Sequence, residues 1–307
     1  MTSQVMEGGP RPLYHRAMDL ALATPAPVAS QVRPFGDQLR AWRMRRRMSQ
    51  MDLANEADIS TRHLSFVETG RSAPSREMVL RLAERLEVPL RERNALLVAA
   101  GYAPMYRERP LEDPALAVAK EAVQLILKSH APFPALAVDR HWNMLAHNAV
   151  VPLLLAGVDA ALLQPPVNVL RLSLHPQGLA PRIANIGQWR HHLFERLRQQ
   201  VHTTGDAKLQ ALEQELRGLP MPADADATRL EGEVLGIAVP LRFRTRAGVL
   251  NLISTTTVFG SPVDVTLQEL ALETFFPADA FTAQALRELH GVGVRSREAQ
   301  ATPYDYP

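Results

Sequence analysis

Three serines constrain the first third of this chain more than any other feature. Ser49, Ser60 and Ser75 each stand directly before a run whose apolar residues recur every three or four positions. A serine there caps a helix, because its hydroxyl accepts one of the backbone N–H groups that the first turn leaves unpaired. After Ser49, Leu53, Ala54 and Ala57 share a face; after Ser60, Leu64 and Val67 do; after Ser75, Val79, Leu82, Ala83 and Leu86 do. Gly70 ends the middle helix as a left-handed cap. Two further helices flank these. One runs from Phe35 to Arg47 with Phe35, Leu39 and Trp42 on one side, and the other from Arg91 to Ala100, stopping at Gly101. Short helices with single apolar faces bury them only against one another, so residues 34–103 are expected to form an all-α domain.

Only Asp58 and Ile59 separate the second helix from the third. One residue of so tight a turn takes a positive φ. Glycine is usual there, but Asp58 tolerates that region better than most residues. Ile59 is then the wedge between the helices. Such a turn is the geometry that lays the later helix in a DNA major groove.

The set Ser49-Gln50, Leu53-Ala54, Ala57, Ile59-Ser60, Leu64-Ser65, Glu68, Gly70, Pro74-Ser75 and Leu82-Ala83 resembles the phage-repressor/Cro-type helix-turn-helix, also called the XRE family. The one departure is Asp58 where glycine is common. With Leu64 and Val67 inward, Thr61, Arg62, Ser65 and Phe66 point outward and His63 sits at the margin. Arg62 suits a bidentate contact to guanine, and the Thr61 methyl suits a thymine methyl. The resemblance implies that Gln50 touches phosphate or the third helix. Arg71 and the run Arg43, Arg45, Arg46 and Arg47 supply phosphate attraction, although such a run reads equally as a solvated helix end. Glu68 is expected to pair with an arginine of the first helix. The partner so implied is a double-stranded DNA operator bound by a homodimer. Domains of this kind also serve as protein-binding modules, and steep salt dependence separates the two uses.

The remainder is read less sharply. Residues 1–33, rich in Gly and Pro, read as a disordered leader. Residues 104–113 read as a linker, 114–290 as a second domain and 291–307 as a flexible tail. The net charge of +2 says little about nucleic acid, and the absence of cysteine excludes disulfides and thiolate chemistry. No run approaches the roughly 20 apolar residues of a membrane span, so a cytoplasmic protein is expected. In the second domain a helix from Leu116 to His130 carries Val118, Ala122, Leu125 and Ile126 as its apolar stripe. A hairpin follows, with Pro134–Val138 and Trp142–Ala146 as its arms. Then come a helix from near Asn148, a helix from Ile186 to Val201, strands over Gly236–Arg244, Gly248–Val258 and Leu270–Phe276, and a helix from Asp279 to Leu289. The fold class expected is thus multidomain: the all-α domain, then an α/β domain with an antiparallel sheet in PAS-like order.

Several segments sharpen this: Ala137-Val138-Asp139-Arg140 with Trp142-Asn143, Leu174-His175-Pro176, Pro181-Arg182-Ile183, Trp189-Arg190, Ser254 through Gly260, and Phe275-Phe276-Pro277. They resemble the MmyB-like ligand-binding domain. That resemblance implies a PAS-like fold holding a small apolar, fatty-acid-like ligand, and a regulator that represses by default, with no cofactor. For the ligand site, Arg182 and Arg190 are the candidate cations. Asn143, Asn185 and Thr255 are neutral donors, and Trp142, Trp189, Phe243 and Phe275 are candidate walls. No nucleophile elbow, phosphate loop or His-Glu-x-x-His arrangement is present, so neither catalytic nor metal-ligating residues are expected. Two rivals remain: a constitutive DNA-binding protein with a structural second domain, and an enzyme fused to a DNA-binding module, for which His175 or Arg182 would be essential.

Overall fold

Each predicted serine cap forms. Ser49 Oγ accepts the Asp52 N–H at 3.1 Å, and the Asp52 carboxylate accepts the Ser49 N–H at 2.8 Å. This reciprocal box satisfies two otherwise orphaned donors. Ser60 and Ser75 accept from the backbone of His63 and Met78. These caps begin α2 (Gln50–Glu56), α3 (Thr61–Glu68) and α4 (Arg76–Arg85), which α1 (Phe35–Arg45) and α5 (Leu90–Ala99) complete. The structure, a computed structural model, describes residues 33–221, 239–260 and 264–300. The expected leader up to residue 32, the strand start at 236–238 and the last seven residues lie outside the described residues.

Asp58 takes a φ of +54° in the α2–α3 turn, as the missing glycine required. Leu39, Leu53, Leu64, Leu82, Leu86, Leu96 and Leu97 are wholly buried, at 0% exposure, and Ile59 packs beside them. Gly36 lets α1 lie directly on the end of α3, because a Cβ there would run into the Glu68 carbonyl.

Residues 104–113 do not hang free of this bundle. Asn94 of α5 accepts the N–H groups of Met105 and Tyr106 through its side-chain oxygen and donates to the Tyr106 carbonyl. Next comes α6 (Ala117–Ser129). Its predicted apolar stripe is a correction: Val123 and Leu127 are buried at 1%, while Val118 is 80% and Leu125 66% exposed. The small Ala135 and Ala137 of the neighbouring strand accept Val123 and Leu127 closely. Apolar residues lie on more than one side of this helix, so its periodicity alone chose the wrong side.

Five antiparallel strands make one sheet in the order β2-β1-β5-β4-β3: β1 (Ala135–Val138), β2 (Met144–His147), β3 (Leu241–Thr245), β4 (Gly248–Val258) and β5 (Ala271–Pro277). Between β2 and β3 run α7 (Val151–Leu154), α8 (Val169–Leu174), α9 (Ile186–Thr204) and α10 (Ala207–Arg217). α11 (Val265–Glu269) precedes β5, and α12 (Ala280–Gln300) follows it. The last helix therefore continues past Leu289 into the expected tail. Side-chain alternation sorts β5 between two cores. Leu272 joins the α6 side, whereas Glu273 and Phe275 face the layer of α8 and α9.

Candidate functional site

The outer face of α3 carries the residues expected to read a groove. Thr61 and Arg62 are exposed, and His63, Ser65 and Phe66 are half-buried. Two guanidinium groups approach the Phe66 ring, Arg62 at 5.4 Å and Arg71 at 6.0 Å from its centroid. Aromatic contact of this kind steadies long cationic side chains before any ligand arrives. Arg47 is exposed at the end of α1.

Three members of the expected basic run are engaged elsewhere. Arg43 is buried and grips Glu68 with two bonds, of 2.7 and 3.0 Å. Glu68 also accepts from Gln50 at 2.8 Å, so Gln50 meets the third helix. Arg46 donates to the Leu86 and Glu87 carbonyls at the end of α4. Arg45 packs on Trp42, and its guanidinium sits where a Cβ on Gly205 would be. Burial, then the neighbouring Arg46 charge, pulls the Arg45 pKa down. Arg45 thus turns toward Gly205 of the second domain. The run is helical, so its members point in different directions, and sequence adjacency hid that.

The second domain holds a partly open cavity of about 120 Å³ between the sheet and helices α7 to α9. Trp142, Trp189, Phe243 and Phe275 line it, together with Val151, Leu154, Leu155, Val169, Leu172 and Leu252. Among the described residues, the polar ones in the lining are Ser173 and Glu273. Ser173 Oγ accepts from Trp189 Nε1 at 2.9 Å. Glu273 is held by Arg196 at 2.7 and 3.2 Å and by the Thr256 hydroxyl at 2.8 Å.

The other expected ligand residues are not in this lining. Asn143 bonds Asp139 and shapes the hairpin turn. Asn185 accepts the Arg242 N–H and donates to the Pro240 carbonyl, fixing the start of β3. Thr255 pairs with Thr274 across β4 and β5 at 2.7 Å. Arg190 donates to the carbonyls of Leu216, Arg217 and Leu219, closing the end of α10. Arg182 stacks on Phe243 and donates to the Leu154 and Ala156 carbonyls; burial lowers its pKa. Sequence reading missed Glu273 and the aliphatic wall from α7 and α8. The signal available was the apolar run Val169–Leu174, interrupted only by Arg171 and Ser173.

A polar junction joins the two regions. Glu269 is held by Arg91 of α5 at 2.7 and 2.9 Å and by Arg140 at 2.8 Å. Gln268 accepts the Leu90 N–H at 2.8 Å, so the second domain caps α5, whose own N-cap, Pro89, lacks a side-chain acceptor. Arg140 also pairs with Asp206 and lies 3.7 Å from Glu92 of α5. Burial pushes the Glu92 carboxyl up, against the opposing Arg140 charge. Burial works the same way on Asp206, but bonds from His141 and the Lys208 N–H, with the Arg140 charge, hold it below its ordinary value.

A second, polar cleft of about 680 Å³ lies at this junction, lined by Glu92, Arg140, Arg196 and Glu269. Trp142 and Glu273 border both this cleft and the apolar cavity. Trp142 is held in the left-handed region at φ +67°, which a bulky residue occupies only when its surroundings impose it. Its Nε1 donates to Gln200 at 2.7 Å, and Gln200 donates to the Arg140 carbonyl at 3.1 Å.

A capped helix-turn-helix joined to a domain with an apolar cavity defines a transcription regulator with a ligand-binding domain. Residues 34–96 match the family described as helix-turn-helix domain, and residues 119–289 match the MmyB-like transcription regulator ligand binding domain. The second match spans more than half of the chain, and the protein belongs to that family. The chain is also similar to the crystal structure of the clp gene regulator ClgR from Corynebacterium glutamicum. That similarity is 23% identity over 32% of this chain and 90% of that one, with a TM-score of 0.20 too low to carry an argument. No curated protein matches. Among the described residues no helix is long and apolar enough to cross a membrane.

Proposed function

We propose that this regulator is a cytoplasmic homodimeric repressor whose operator affinity is set by a small apolar ligand in the cavity. The observation that carries this reading is the shared wall. Trp142 and Glu273 touch the cavity on one side and the junction cleft on the other. A ligand controls DNA affinity only if it favours one arrangement of the two domains. Displacement of Trp142 would reach Arg140 through Gln200, and Arg140 in turn holds Glu269 and faces Glu92 beside the helix-turn-helix. The strand order and the helices between β2 and β3 support reading the second domain as PAS-like. The apolar lining, with its two polar residues already hydrogen-bonded, supports binding rather than catalysis. Dimerisation follows from the few base pairs that one recognition helix reads.

The DNA half is tested by selecting an operator from random duplexes and measuring affinity across salt concentrations. Arg62→Ala is expected to relax preference at one base pair by about 1–3 kcal/mol, and Arg71→Ala to weaken all sequences and reduce the salt slope by about one ion. Unchanged selectivity and slope would remove both residues from the interface.

A further inference from the structure

The cavity's chemistry points to the charge of its ligand, an inference that rests on the ligand-sensing reading above. A carboxylate brought into an apolar site must be met by a cation or by several donors, because its lost hydration is otherwise uncompensated. Among the described residues no cationic side chain lines this cavity. Arg196, beside the lining, is committed to Glu273 and Thr256 and lies 4.8 Å from the centroid of the Trp142 ring. Arg182 stacks on Phe243 and spends its guanidinium on two backbone carbonyls. Among the described lining residues the one ionisable group is Glu273, an acid already paired with Arg196 that offers an anion no attraction. Among the described lining residues the one hydroxyl, Ser173, accepts from Trp189 and keeps its proton available to donate.

We infer that the cavity selects an uncharged molecule about one ring in size, carrying at most one hydrogen-bond acceptor, and rejects carboxylates. The volume of about 120 Å³ is near the ~150 Å³ of an engineered apolar void that takes up benzene. An acceptor oxygen on the ligand meets the Ser173 hydroxyl, and the rest meets aliphatic and aromatic carbon. Glu273 is the specificity-determining residue: it occupies Arg196, the cation that would otherwise be free to meet a carboxylate. The fatty-acid expectation separates accordingly into a chain the wall suits and a head group it does not.

Trp142 and Trp189 both line the cavity, so the intrinsic fluorescence of the full chain reports entry. The probes are toluene, acetophenone, benzoate and decanoate at neutral pH. Toluene and acetophenone are expected to give saturable changes, with benzoate at least ~100-fold weaker than acetophenone. Ser173→Ala should bring acetophenone down to the affinity of toluene. Glu273→Gln, checked for folding by near-UV circular dichroism, frees Arg196 and should raise benzoate affinity at least ~10-fold. Benzoate or decanoate binding the unaltered protein as tightly as acetophenone overturns the charge selection and leaves ligand sensing standing. A saturable response to none of the four overturns both.

Discussion

In the helix-turn-helix, Leu39, Leu53, Leu64 and Leu82 are wholly buried against one another, whereas in the second domain Leu154, Leu155, Val169 and Leu241 stay half-buried around a cavity. The charges divide in the opposite sense. The first domain leaves Arg62 and Arg71 stacked on Phe66 at its surface, while the second engages Arg140, Arg182, Arg190 and Arg196 internally. A filled core beneath an exposed cationic face suits a rigid reader of DNA. An incompletely filled core beneath a closed ion network suits an element with two arrangements, because a ligand that fills the gap changes which packing is best.

The largest effect that could break this contrast lies in the first domain. Arg43→Ala leaves Glu68 buried without its cation and is expected to cost about 3–5 kcal/mol in urea unfolding. A loss under about 1 kcal/mol would return Arg43 to the surface role that its place in the basic run suggested. The contrast itself is sharpened by overfilling each core. Ala54→Leu, in the packed domain, should cost about 1–3 kcal/mol, while Val169→Phe, which fills the cavity, should cost less than about 1 kcal/mol and abolish the fluorescence response to toluene. Equal costs would mean that the second core has no space to give.

Legibility followed the same division. Ser49, Ser60, Ser75 and Asp58 announced the first domain because caps and turns are local chemistry, decided by residues adjacent in sequence. Glu68 was expected to meet an arginine of the first helix, but that the partner is Arg43, read as part of the phosphate-attracting run, was not legible, because the packing of α1 on α3 decides it. In the second domain the strands and the aromatic walls Trp142, Trp189, Phe243 and Phe275 were legible, but the cavity's chemistry was not. Arg182 and Arg190 were expected to hold an anion. Their partners are backbone carbonyls 26 to 29 positions away, and carbonyls leave no trace in a sequence. The sense of α6 was misread because what decided it was the small Ala135 and Ala137 on a later strand.

The smallest expected effect concerns the junction. Asp206 has a folded-state pKa below its unfolded value. Its contribution is therefore present at neutral pH and above, and is lost as pH falls below about 4. Asp206→Asn should lower the unfolding midpoint relative to the parent at neutral pH, and the two midpoints should converge in acid. A gap that persists in acid would assign Asp206 to capping α10 alone, through the Lys208 N–H.

The most direct test of the account is operator affinity with and without saturating toluene, for the parent protein and for Arg140→Ala. The account predicts that toluene shifts the affinity of the parent at least ~5-fold, the lower range of ordinary allosteric coupling, and that Arg140→Ala binds toluene equally well but loses the shift. An unchanged affinity in the parent at full occupancy would contradict it, leaving a DNA-binding protein whose second domain holds a ligand without reporting it.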